Sequence, residues 1–265
     1  MSRASLTLKL GVGATALAFT FVPAMSARAA SGVNYIALGD SYSSGVGAGD
    51  YIGSSGSCDR SPNAYSALWA QQHSPASYSS VACSGAKTTD VLANQLSGLS
   101  ASTTLISITI GGNDVGFSGI MQDCILDGSS TCVNEVNAAK ADASANLPGK
   151  LASVYSAIKS KAPNAHVVVL GYPDFYDLNN NCTGIAQESR VAINGGIDLL
   201  DSITSTAAAK AGFTYADVRS AFDGHEICDS NRWLHSVNFL DIEESYHPTA
   251  DGHANAYLPV FAAKA

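Results

Sequence analysis

The chain has 265 residues, with 14 Lys+Arg against 22 Asp+Glu and a formal charge of −8. Hydrophobic residues make up 46% of it, enough to fill one buried core. The acidic balance excludes nucleic acid as a partner and charge-driven adsorption on an anionic membrane, and leaves neutral or zwitterionic interfaces open to transient contact.

Residues 1–29 read as an export leader. Arg3 and Lys9 precede an apolar stretch from Leu10 to Val22, and Ala27-Arg28-Ala29 forms a small-x-small cleavage site. That stretch is too short for a stable membrane anchor, and no longer one follows. The expected mature protein is a single domain over 30–265, secreted and extracellular, with a charge of −11 once Arg3, Lys9 and Arg28 are removed. All six cysteines lie in this part, so three disulfides are expected. Cys124 and Cys132 flank a short polar loop and are the first pair expected. No C-x-x-C spacing points to zinc or redox exchange.

In chain order, a strand "YIAL" (35–38) leads to a helix "SPNAYSALWAQQH" (61–73), with Ser61 as its cap and Pro62 in the first turn. A strand "SVAC" (80–83), a helix "KTTDVLANQLSGL" (87–99) and a strand "TLISITI" (104–110) follow. Residues 115–147 carry no clear strand and read as a surface excursion. Then come a helix over 146–163, a strand "HVVVLGY" (166–172), a helix over 188–212, a strand "FTYADV" (213–218) and a final helix over 250–264. Strands alternating with helices predict an α/β fold with a parallel sheet, its site beyond the carboxyl ends of the strands. Ser41, Gly85, Gly112 and Asn113 fall there.

Ser41 stands in "NYIALGDSYSSG", directly after the first strand. Gly-Asp-Ser alone is common in turns, so a nucleophile needs partners elsewhere. Asn113 in "ITIGGNDVGF" offers an amide, with Gly111 and Gly112 keeping β-carbons out of the way. Gly85 in "ACSGAKTTD" and Ser41 itself offer backbone N–H groups, so the three together form a candidate oxyanion hole. The alternative is that Gly85 only releases a turn and that Asn113 and Asp114 cap local backbone. Ser84 reads as structural.

A base near neutral pH is a histidine. His73 ends a surface helix, His166 begins a buried strand, and His225 in "FDGHEICD" lacks a second cluster to complete a metal site. His253 lies inside the last helix and is expected on its surface. His247, in "EESYHPTADGHANAY", is followed by Pro248 and by Thr249 as a helix cap, and is the candidate base.

The blocks "GDSYSSG", "GAKT", "GGND" and "ESYHPT" resemble, in order and spacing over nearly the whole mature chain, those of the SGNH or GDSL hydrolases, above all the secreted actinobacterial lipases and phospholipases A1. The resemblance implies a three-layer α/β/α sandwich with a five-stranded parallel sheet in the flavodoxin-like order 2-1-3-4-5. It also implies Ser41 as nucleophile, Ser41, Gly85 and Asn113 as the oxyanion hole, and His247 as base. Asp40 and Asp114 would brace the nucleophile turn and the "GGND" loop. The disulfides it implies are Cys58–Cys83, Cys124–Cys132 and Cys182–Cys228. The family commonly has an aspartate three residues before the histidine; Glu244 stands there instead. Either Glu244 or the backbone carbonyl of Ser245 then orients the ring, the carbonyl being favoured.

The implied activity is hydrolysis of lipid acyl esters through an acyl-enzyme, by a monomer without cofactor or metal. Tyr42, Phe117, Ile120, Tyr172, Phe175 and Tyr176 are candidates for an acyl groove. An acetyl or feruloyl carbohydrate esterase would share every catalytic residue. A non-catalytic binding protein is the reading from another class, and labelling of Ser41 by a phosphonate separates it.

Overall fold

Five short strands build the sheet: β1 (Ser31–Gly39), β2 (Pro75–Ser80), β3 (Leu105–Thr109), β4 (His166–Leu170) and β5 (Thr214–Ala216). All pairings are parallel, in the order β2-β1-β3-β4-β5. The computed structural model describes residues 31–238 and 241–265 with Met1, Ser2 and Ser5; apart from those three, the expected leader lies outside the described residues. Every residue of β3 is buried, as follows when a parallel sheet is covered on both faces.

Side chains alternate between those faces. Tyr35 of β1 packs against Trp69 of α2 (Tyr65–His73) and Phe261 of α8 (Leu258–Ala262), with ring centroids 5.3 and 5.5 Å away. Its hydroxyl meets Ser107 Oγ at 2.7 Å, so the buried phenol keeps a partner. The opposite layer holds α5 (Gly128–Lys161) and α6 (Gln187–Ala211), which pack on each other; Leu147 and Leu200 close over Gly111 at the end of β3.

Several expectations shift. Strand β2 covers 75–80 rather than 80–83, because an edge strand, "PASYSS", needs no apolar run. The chain beyond it stays beside β1: Val81 N–H donates to Ala37 O at 2.9 Å and Cys83 N–H to Gly39 O at 3.0 Å. Helix α2 starts at Tyr65. Ser61 makes a turn instead of a cap, its Oγ accepting from Asn63 N–H at 3.0 Å and donating to Gly49 O at 2.6 Å. Residues 115–147 are helical throughout most of their length, forming α4 (Phe117–Leu126) and the first half of α5. Pro148, which resembles a helix start, sits inside α5; the Ser144 carbonyl it leaves without a donor is on an exposed residue.

The last helix opens as α7 (Ala250–Gly252), with Thr249 Oγ1 accepting from Gly252 N–H at 3.2 Å, and widens into a π turn over His253–Tyr257 before α8. His253 is fully buried, contrary to the expected surface position. Its Nδ1 accepts from Tyr65 N–H at 3.3 Å and its ring lies nearly parallel to that of Tyr65.

The cysteines join as Cys58–Cys83, Cys124–Cys132 and Cys182–Cys228. The second ties α4 to α5 across the break at Asp127. Replacing both Cys124 and Cys132 by alanine should lower the unfolding free energy in urea by about 2.5 kcal/mol, the entropy of closing so short a loop; a change under about 0.5 kcal/mol would contradict that role. Among the described residues no helix is long and apolar enough to cross a membrane.

Candidate active site

The turn that carries Ser41 is built where β1 runs out against β3. Gly39 has φ +120°, and a β-carbon on it would lie 2.3 Å from Thr109 O, so only glycine lets the chain turn this close to the sheet. Gln95 grips the same residue through both of its peptide groups: Gly39 N–H donates to its Oε1 at 2.7 Å and its Nε2 donates to Gly39 O at 2.8 Å. Sequence reasoning missed Gln95. Its only signal is an amide among the apolar positions of "DVLANQL".

Asp40 then caps α1 (Ser41–Ser44), accepting from Tyr42 N–H at 3.1 Å. The same carboxylate accepts from Thr109 Oγ1 at 2.6 Å and from the Tyr172 hydroxyl. Burial pushes its pKa up to about 6, against the pull of these hydrogen bonds. Its place is under the turn, bracing it. Ser41, as the first helical residue, has an N–H with no carbonyl of its own helix to bond.

His247 arrives from the far end of the sequence. A bridge between Leu234 and Pro248 holds residues 246–248 against 234–235, where Tyr246 N–H donates to His235 O and His235 N–H to His247 O, both at 2.9 Å. Tyr246 is held at φ +67°, a backbone region that costs a non-glycine residue energy. Its carbonyl takes the Tyr42 hydroxyl at 2.6 Å and its ring stacks on Phe175. These contacts fix the peptide that aims the next side chain.

His247 Nε2 lies 2.7 Å from Ser41 Oγ, and Nδ1 lies 3.1 Å from the Ser245 carbonyl. The Glu244 carboxylate is turned elsewhere, accepting from the Tyr51 hydroxyl at 2.6 Å. One edge of the imidazole meets the cleft while the rest is enclosed. That burial pulls its pKa down to about 4, only partly opposed by the Ser245 carbonyl.

The cleft over Ser41, about 230 Å³, is also lined by Gly85, Asn113 and His247. One N–H of the Asn113 amide donates to Ala86 O at 3.1 Å, which ties the two loops together and leaves the amide a second N–H. Asp114 accepts from Thr88 N–H at 2.9 Å and Thr88 Oγ1 at 2.6 Å, at the start of α3 (Thr88–Asp90), and pairs with Lys150 at 3.5 Å, so it joins the same loops from below. Cys83, bonded to Cys58, anchors the start of the Gly85 loop, and Ser84 N–H donates to Cys58 O at 3.2 Å.

Of the groove candidates, Tyr42, Phe117, Tyr172 and Phe175 line this cleft. Ile120 lines an adjoining apolar recess. Tyr176 lines neither; it is buried with its N–H directed at Asn194 Oδ1. Among the remaining histidines, His73 stacks on Trp69, His166 Nε2 contacts Lys264 O at the surface, and His225 stacks on Trp233.

Comparison with known proteins places this geometry. The family model described as GDSL-like Lipase/Acylhydrolase matches residues 37–254. "Lipase 1" of Streptomyces coelicolor is 53% identical over 256 residues, covering 97% of this chain and 94% of that protein. The crystal structure of phospholipase A1 from Streptomyces albidoflavus superposes with a TM-score of 0.86 at 55% identity, over 88% of this chain and 99% of that one. An extracellular lipase from Streptomyces rimosus gives the same TM-score at 50% identity, over 88% of this chain and all of that one. The chain thus belongs to the GDSL-like lipase/acylhydrolase family and is an ester hydrolase.

Proposed function

We propose that the exported chain, from residue 30 onward, hydrolyses acyl esters of lipids as a phospholipase A1 or lipase, and works as a monomer without a stable membrane anchor. The observation that carries the reading is the 2.7 Å approach of His247 Nε2 to Ser41 Oγ inside a largely apolar cleft. Identity above half with a lipase and a phospholipase A1 supports the lipid substrate. The leader-like 1–29, the three disulfides and an extracellular relative support export.

In this reading His247 Nε2 takes the Ser41 proton as Oγ attacks the ester carbonyl. The oxygen that becomes negative is met by the N–H groups of Ser41 and Gly85 and the Asn113 amide. His247 passes its proton to the departing alcohol, and water then repeats the sequence on the acyl-enzyme. Nδ1–H donates to the Ser245 carbonyl throughout, which holds the tautomer without placing a charge beside the imidazolium.

The substrate test compares product release from phospholipid, triglyceride, short-chain ester and acetyl- or feruloyl-sugar. Fatty acid from the sn-1 position of phospholipid is the expected product; activity confined to sugar esters would overturn the lipid reading. A second variant tests the ring's support. Glu244→Gln should keep kcat/KM within about threefold, because an amide still accepts from Tyr51, whereas loss of an orienting carboxylate costs about 10,000-fold. A hundredfold loss would move the orienting role from the Ser245 carbonyl to Glu244.

A further inference from the structure

Two recesses open from the cleft, one on each side of α4. The first runs between α4, α5 and α6, past Met121, Val136, Ala143 and Ile193; it shares Phe117, Ile197 and Leu200 with the cleft. The second lies between the outer side of α4, at Gln122, Ile125 and Leu126, and the segment carrying Val237, Ile242 and Tyr246; it shares Phe117, Ser118, Glu243 and His247 with the cleft. We infer that they divide the ester between them, the first taking the acyl tail and the second the alcohol part. This rests on the Ser41–His247 reading above.

The direction follows from the chemistry of the tetrahedral intermediate. Its carbon carries Ser41 Oγ, the oxyanion, the leaving oxygen and the acyl chain. The oxyanion belongs at Gly85 and Asn113. The leaving oxygen must sit where His247 Nε2 protonates it, and the recess lined by His247 is the second one. Only the acyl chain remains, and the recess without His247 is the first.

The lining agrees with that division. The first recess is narrow, about 50 Å³, and apolar apart from Lys140, so it favours unbranched hydrocarbon over a polar or branched group. Its wall carries Gly195 and Gly196 in the middle of α6, where glycine weakens a helix. A β-carbon at Gly196 would lie 3.3 Å from Val136 Cγ1, across this recess. Glycine there lets α5 and α6 approach closely along the wall without a β-carbon between them. The second recess is about 520 Å³ and mixes Ser118, Gln122 and Glu243 with the exposed Leu126 and Ile242. That room and mixed polarity suit a branched alcohol such as a glycerol bearing a second substituent.

Two ester series test the assignment in the full-length exported protein. One holds the alcohol as p-nitrophenol and lengthens the acyl chain from four to sixteen carbons; the other holds an octanoyl group and lengthens the alcohol from methyl to octyl. Each variant is read as its own long-to-short ratio of kcat/KM. Ala143→Phe, filling the first recess, should lower the acyl ratio at least tenfold and leave the alcohol ratio within twofold. Gln122→Trp, narrowing the second, should do the reverse. Should Ala143→Phe fail to fold, Ala143→Val lowers the acyl ratio by about threefold with the same selectivity. Exchanged patterns, or equal loss in both series, would overturn the inference while leaving the Ser41 chemistry intact. Hydrolysis that persists in Ser41→Ala would instead overturn the reading beneath it.

Discussion

Ser41→Ala lowers kcat/KM on a soluble acyl ester by about 100,000-fold. Removing the nucleophile of a serine hydrolase leaves only the residual catalysis of the oxyanion donors and binding, and a factor of this size corresponds to about 7 kcal/mol of lost transition-state stabilisation. Stability should hardly move, because the hydrogen bond lost is the one to His247 Nε2, at the edge of an open cleft. A fluorophosphonate adds one equivalent to the native chain, at Ser41, and none to the variant. Labelling at another serine, or a variant within tenfold of native, would overturn the assignment.

His247→Gln costs a similar factor, because nucleophile and base act as a unit and neither works alone. The native pH profile carries the sharper information. The proposed mechanism requires the base form of His247, and burial holds its pKa at about 4 rather than near 6.5. Activity should therefore persist well below pH 6.5, with an acid limb whose midpoint lies between 4 and 5. An orienting carboxylate would stabilise the imidazolium and push the limb upward. A midpoint at or above 6.5 would contradict the carbonyl-supported ring. Folding sets a limit on the same side. His247 and His253, pulled down to about 4 and about 3 by burial, are neutral in the folded chain but protonate near 6.5 when it unfolds. Their contribution to stability is full above pH 6.5 and is lost as pH falls toward 3. Initial rates and circular dichroism at each pH separate the two effects.

The residues of the candidate site were legible in the sequence because strand ends of a parallel sheet converge, and the motifs sit directly after three of them. The order β2-β1-β3-β4-β5 came through resemblance, since no periodicity orders strands. What escaped has physical causes. Strand β2 lies at the sheet edge and is largely polar, so its signal is weak. The first half of α5 presents mostly polar residues and alanines to solvent, and Pro148 mimics a helix start. His253 shares the buried face of the last helix with Ala256, Tyr257 and Phe261 at i, i+3, i+4 and i+8, so its inward position follows the helical period, which the expectation for a polar side chain overrode. Supporting contacts such as Gln95 on Gly39, Tyr51 on Glu244 and Tyr42 on Tyr246 join distant segments through polar atoms, a kind of pairing that local pattern does not encode.

The hydrogen bond between Ser41 and His247 spans 206 positions of sequence. During synthesis the ribosome delivers Ser41 early and His247 late, so on the proposed reading the chain holds an unactivated alcohol for most of its assembly. Partial folding of the first strands, or a fragment ending before residue 233, should then have no hydrolytic capacity to misdirect. On that reading competence waits until the late segment docks on the early one, through the Tyr42 hydroxyl on the Tyr246 carbonyl and His235 Nε2 on the Gly47 carbonyl, and goes when that docking is lost.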